Sequence, residues 1–168
     1  KEQIKYFRNT SKFSETIEMR AMATNTSAPN KRALIELKSV DNFYPLIGEM
    51  LLENGLKLKD AFIMKNGIRG AVADLNLLKK LNIGIGDAIK IGDSQFYLAG
   101  IIKKEPDRIA NVLSFGPRLM VSTAGLAATK LIQPGSQIRY RYHILLPKNT
   151  SPASWSAALE KKFPKTGW

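Results

Sequence analysis

The chain has 168 residues, 44% of them hydrophobic and none of them cysteine, with 26 Lys+Arg against 14 Asp+Glu for a net charge of +12. That length and apolar content suffice for one domain with a real core, and the lack of cysteine excludes a disulfide framework, a Cys zinc site and a thiol nucleophile. The basic balance favours anionic partners such as nucleic acid, phospholipid headgroups or acidic proteins, yet the charges are spread along the chain, as on a solvated basic surface. No apolar run reaches the roughly eighteen residues of a membrane-spanning helix. Lys1-Glu2-Gln3 does not open a signal peptide, and the chain reads as though cut from something longer.

Residues 1–8 (KEQIKYFR) predict the end of an amphipathic helix, with Ile4 and Phe7 on one face. Two strands follow, 15–23 (ETIEMRAMA) and 33–40 (ALIELKSV), joined by a polar loop and expected to pair. Pro45 and Gly48 punctuate the next segment, 49–53 suggests a short strand, and Asn54-Gly55 is a turn signal. Residues 57–66 carry no clear period. The strand 70–73 ends at Asp74, an expected N-cap for a helix over 75–81 that presents Leu75, Leu78 and Leu81 on one side.

Residues 81–102 (LNIGIGDAIKIGDSQFYLAGII) predict a glycine-bearing turn, a strand at 88–91, a Gly92-Asp93 turn and a second strand at 95–102. A polar stretch over 103–112 breaks at Pro106, a strand spans 117–122, and Ser122 or Thr123 can cap a helix running to Leu131. The longest alternating strand is 137–146 (QIRYRYHILL), with Arg139, Arg141 and His143 on one face and Ile138, Tyr140, Tyr142 and Ile144 on the core side. Ser151-Pro152 opens a last helix whose Trp155, Leu159 and Phe163 form one stripe. This order of strand pairs and single helices is α+β rather than a doubly wound parallel sheet.

Chemistry is sparse. The one histidine, His143, lies mid-strand, no serine sits in a G-x-S-x-G elbow, and the acidic residues Asp74, Asp87, Asp93 and Asp107 have turn and cap roles, so no catalytic residue is assigned. Gly84-Ile85-Gly86 lacks the GK[ST] ending of a phosphate loop, and a strand, not a helix, follows it. No cofactor and no metal site are expected. Arg139-Tyr140-Arg141-Tyr142 mixes basic and aromatic residues as single-strand binders do, and nucleic-acid binding is the bottom-up rival reading. On a strand, however, arginines and tyrosines face opposite ways, which disfavours a nucleic-acid partner.

Taken in order, the stretches 15–23, 40–50 (VDNFYPLIGEM), 71–107 and 114–147 resemble the first large periplasmic domain of FtsX/MacB-type ABC-transporter permeases. The pattern L-x-I-G-x-G-D, strand, G-D, strand ending in Gly-Ile-Ile marks the wider group. Tyr44-Pro45-Leu46, Glu105-Pro106-Asp107-Arg108 and Phe115-Gly116-Pro117-Arg118 point to its YbbP-like branch, which is similar to the LolC and LolE permeases. The resemblance implies a bilobed domain, with 1–45 and 110–168 forming a porter-like mixed α/β lobe and 46–109 an inserted β-rich lobe. It implies a place between two membrane helices, a separate cytoplasmic ATPase as partner, a membrane surface nearby, and movement or extraction of lipid-like or lipoprotein cargo with no chemistry of the domain's own. A further strand would precede Lys1. Phe62, Ile63 and Met64 are candidates for cargo or partner contact, and Arg139 and Arg141 for headgroups or partner carboxylates.

Overall fold

A computed structural model of the chain describes residues 2–108 and 116–164. Lys1 of the first expected helix, residues 109–112 of the polar stretch, Phe115 and Trp168 lie outside the described residues.

In chain order the elements are α1 (Glu2–Thr10), β1 (Lys12–Asn25), β2 (Arg32–Val40), β3 (Leu51–Leu52), α2 (Leu58–Ala61), β4 (Arg69–Ala73), α3 (Leu75–Leu81), β5 (Ala88–Ile91), β6 (Ser94–Lys104), β7 (Arg118–Ser122), α4 (Thr123–Thr129), β8 (Ile138–Leu145) and α5 (Pro152–Lys162). The long strand β1 organises them. One of its edges pairs with β2 over residues 16–24, while the other pairs first with β8 and then, at its far end, with β5. Since β2 continues through β7, β4 and β6 to β5, the pairing closes on itself as a six-stranded ring, with β8 added outside it and β3 on β6. Closure leaves these six strands without a free edge.

The interior of the ring is apolar. Ile17, Ala21 and Ala23 of β1, Ile35 and Leu37 of β2, Phe96 and Leu98 of β6, and Leu119 and Val121 of β7 meet there, capped by Leu77 and Leu81 of α3 and Leu126 of α4. A second cluster covers the opposite face of the same strands: Val40, Val72, Ala99 and Met120 pack under Met50, Leu52, Leu58 and Ala61. The strands β2, β7, β4 and β6 are thus buried on both sides, and alternation assigns odd and even positions to two different environments.

The mixed α/β architecture agrees with the expected α+β class. The strands of the 46–109 segment are hydrogen-bonded into the common sheet: β4 pairs with β7 and β5 with β1. Within elements the structure makes several corrections. Leu75 is exposed and Leu77 takes its buried place, because α3 turns its 77/78/81 face to the core. Asp74 stands at the N-cap of α3 without a side-chain cap bond, as does Ser151 before α5. Ser122 does cap α4, accepting from the Gly125 amide. That helix stops at Thr129, where Lys130 turns left-handed, and β6 runs on to Lys104. Tyr140 is exposed instead of facing core, since β8 lies at the outer margin beyond the ring. The 57–66 stretch resolves into α2 and a turn.

Gly86 has φ +93°, and the 84–87 turn is closed by the Gly84 amide donating to Asp87 Oδ2 at 2.8 Å. These glycines make a turn and present no phosphate cradle. Gly70 is constrained differently: a Cβ there would stand 1.8 Å from the backbone oxygen of Ala61, because α2 rests directly on β4. Gly70→Ala is therefore expected to lose about 3 kcal/mol or more of stability, as backbone must move to admit a methyl group. Gly84→Ala, which meets nothing nearer than 3.9 Å, should stay within about 0.5 kcal/mol. Urea denaturation of the two variants checks the contrast.

Candidate functional site

The even positions of β1 and β2 face away from the ring interior. There Glu18 lies across from Lys38, Arg20 across from Glu36, and Glu36 across from Arg118 on β7. Opposite charges in adjacent strands favour this register. Lys38 is unusual among them, since it is only 1% exposed. An ammonium so far from water needs every proton matched. It donates to Glu105 Oε1 at 2.8 Å, to Asp107 Oδ2 at 2.7 Å and to the Tyr44 hydroxyl at 3.2 Å, with the Tyr44 ring 4.5 Å below it. The Tyr44 hydroxyl in turn donates to Asp107. The Tyr44–Pro45 bond is cis.

The carboxylates carry the network outward. Glu105 Oε2 lies 3.4 Å from the guanidinium of Arg118, which also faces Glu18 at 3.8 Å and Glu36 at 3.7 Å. Glu18 meets Arg141 of β8 at 3.3 Å, and His143 stands 3.6 Å from Asp107. A fork from Arg108 to both oxygens of Asp74, each 2.9 Å, ties the same loop to the start of α3, and Asp74 Oδ2 also accepts from the Arg118 amide. That is where the expected capping carboxylate went: two charge-assisted bonds from a guanidinium are stronger than one cap. The loop 105–108 is thereby clamped over β2, β7 and β8, and Arg118 carries the network on to Glu18 of β1.

Burial alone would raise the Asp107 pKa, but hydrogen bonds from Lys38 and Tyr44 and the Lys38 charge outweigh it and hold the carboxyl below its ordinary value. Burial, followed by the bond to Asp107, pushes the Tyr44 phenol far up, so it stays a neutral donor. The arrangement places no nucleophile beside a base. Among the described residues no group of three or more His, Cys, Asp or Glu could hold a metal. Its chemistry is cohesion between strands and loop.

Of the residues singled out for contact, Ile63 and Met64 are 55% and 50% exposed on the turn after α2, whereas Phe62 packs against the second apolar cluster. Arg139 is exposed; Arg141 is engaged by Glu18. The five do not form one site. Lys38, Glu105 and Arg118 as a unit escaped the sequence reading. The available sequence signal was slight: Lys38 shares the parity of Val40, an apolar residue of the same strand.

On the other side of β1 and β8, an aromatic cluster joins the two end helices. Phe7 packs on Phe13, Tyr142 and Trp155, with ring centroids 5.5 to 6.0 Å apart. Tyr6 meets Phe163 at 5.8 Å, and the Trp155 indole donates to Thr10 at 3.3 Å. The end of α1 thus meets the start of α5 and Tyr6 meets its end, so the helices run antiparallel. The start of α1 and the end of α5 lie at the same end of the pair. Burial, with a bond to Glu15, pushes the Tyr142 phenol up to about 12.

Among solved structures, the fold is similar to the extracellular domain of the noncanonic ABC-type transporter YknZ from Gram-positive bacteria, with a TM-score of 0.62 over 96% of this chain and 82% of that one at 11% identity. It is also similar to the periplasmic region of MacB from Actinobacillus actinomycetemcomitans, with a TM-score of 0.56 over 91% and 65% at 16% identity. No family model matches the sequence. In fold the chain is thus similar to periplasmic or extracellular domains of ABC-type transporters, and in sequence to an ABC-transporter permease. That permease is the uncharacterised ABC transporter permease YbbP of Escherichia coli K12, to which the chain is 33% identical over 121 residues. The match takes in 71% of this chain and 14% of YbbP, so the chain spans about a seventh of that relative's length. No described helix is long and apolar enough to cross a membrane.

Two outcomes are expected at the clamp. Lys38→Met leaves buried Glu105 with only the longer 3.4 Å contact to Arg118 and should cost about 3–5 kcal/mol in denaturant unfolding. Asp107 has a folded pKa below its unfolded one, so its contribution is fully present above about pH 4 and is lost as pH falls through the folded value. Asp107→Asn should therefore lower Tm at pH 7, with the gap to the parent closing below about pH 4. A gap unchanged from pH 7 to pH 3 contradicts the assignment.

Proposed function

We propose that this domain is the outer moving part of an ABC permease, coupling ATP hydrolysis by a separate cytoplasmic ATPase to movement or extraction of lipid-like, lipoprotein or similar cargo. The observation that carries the reading is the antiparallel packing of α1 on α5. A domain held between two membrane helices needs its incoming and outgoing segments at one end, and this helix pair supplies that geometry. The domain would act mechanically and carry out no chemistry.

The two-lobe division forms part of the proposal: 1–45 with 110–168 carries the helix pair, and 46–109 carries the exposed turn at Ile63 and Met64, on a shared sheet. The clamp supports force transmission, because it fastens the loop 105–108 of the inserted segment to strands from both ends of the chain.

The test uses the full-length permease with its ATPase in vesicles loaded with a lipoprotein or labelled lipid. Replacing residues 1–168 by a flexible linker should leave measurable ATP hydrolysis while abolishing ATP-dependent cargo release. Cargo release undiminished by the replacement overturns the proposal.

A further inference from the structure

Far from the clamp, the outward-facing positions of β2, β1, β5 and β6 form a second surface. At the far end of β1, Thr24 is paired with Arg32 on one side and Lys90 on the other, and Lys90 is paired with Gln95 of β6. Arg32, Thr24, Lys90 and Gln95 thus form a row across four strands. Two strand spacings put the Arg32 and Lys90 backbones about 10 Å apart, with one hydroxyl between them. Among the described residues no carboxylate meets either cation; Asp93, in the adjoining turn, faces Lys130 at 3.5 Å. One step back along the strands, Met22 pairs with Leu34, and these side chains are 49% and 45% exposed.

The row floors a groove of about 540 Å³, walled by Thr26 and Pro29 of the loop after β1. That wall is fixed in place. Asn25, itself buried, donates to the Leu81 carbonyl at 3.1 Å and accepts from the Ser27 and Ala28 amides at 2.8 and 3.2 Å, while the Thr26 hydroxyl donates to the Ala88 carbonyl at 2.9 Å.

We infer that this groove binds an anionic amphiphile, a phosphate-bearing head between Arg32 and Lys90 with the first methylenes of its chain over Met22 and Leu34. Two unneutralised cations bracketing a hydroxyl match a phosphate, which accepts several charge-assisted hydrogen bonds at once. The adjoining apolar pair matches what a free phosphate lacks. The volume exceeds that of an inorganic anion and admits a head with part of a chain. The inference stands on the groove alone and does not rest on the transport reading.

The test titrates the 168-residue chain with dodecyl phosphate below its micelle concentration, followed by amide shifts in ¹⁵N–¹H spectra. The expected shifts are confined to residues 22–34 and 88–95. Arg32→Gln with Lys90→Gln, both at exposed positions, should weaken binding about tenfold or more. Met22→Ser with Leu34→Ser should weaken it about threefold to tenfold. Glycerol phosphate should shift the same residues with at least about tenfold lower affinity, and dodecyl maltoside should shift none. Absent binding, shifts elsewhere, or an unchanged Arg32/Lys90 variant overturns the inference. Equal affinity for glycerol phosphate or for the maltoside overturns it as well, because head and chain would then not both be read.

Discussion

A lysine ammonium buried inside a β-sheet sets the terms for the rest of this domain. Lys38 has no water to fall back on, and the desolvation cost of a buried charge is several kcal/mol unless its partners are close and complete. None of its three hydrogen-bond partners is on its own strand. Glu105 and Asp107 come from a loop 67 and 69 residues later, and Tyr44 from the segment after β2. Because the cation needs all of them, the loop cannot lift from the sheet without stranding a charge. Arg118 extends the constraint by sharing Glu105 and reaching Glu18 and Glu36. Four strands and one loop are therefore joined by electrostatics on a face whose reverse side is joined by apolar packing.

The two sides of β1 divide the labour. Its odd positions face the ring interior and, at Phe13, the aromatic cluster that unites α1 with α5. Its even positions carry the clamp near one end and the Arg32–Thr24–Lys90 row near the other. A closed ring with a loop fastened across its outside resists shear, and the proposed mechanical role asks for such a body. The helix pair is the part through which movement would enter.

Much of the fold was legible because alternation is a local signal. The β1–β2 hairpin, the β5–β6 hairpin and α3 follow from period, glycine turns and stop residues. Burial was read less well where a strand is covered on both faces or lies at the margin. Alternation in the 33–40 strand names no partner for Lys38, and only the distant Glu105 and Asp107 make its burial possible. Tyr140 reads as core by alternation, yet β8 sits outside the ring and leaves it exposed. Asp74 reads as a cap, but Arg108, 34 residues on, recruits its carboxylate. The motifs Glu105-Pro106-Asp107-Arg108 and Tyr44-Pro45 were visible as marks of a permease branch. Their physical content, a shared set of partners for one buried cation, is nonlocal and emerges only when the sheet closes. The Arg32–Lys90 row likewise depends on a pairing between β1 and β5 that no local pattern specifies.

Whether one buried ion pair holds this face together is best measured by a double-mutant cycle on Lys38→Met and Glu105→Leu in denaturant unfolding. If the two charges are retained for each other, each single change is severely destabilising, and the double variant recovers most of the loss, with a coupling energy of about 2 kcal/mol or more. Losses that simply add, with coupling below about 0.5 kcal/mol, would mean that Lys38 and Glu105 are held independently and that the clamp is not the constraint on which the sheet depends.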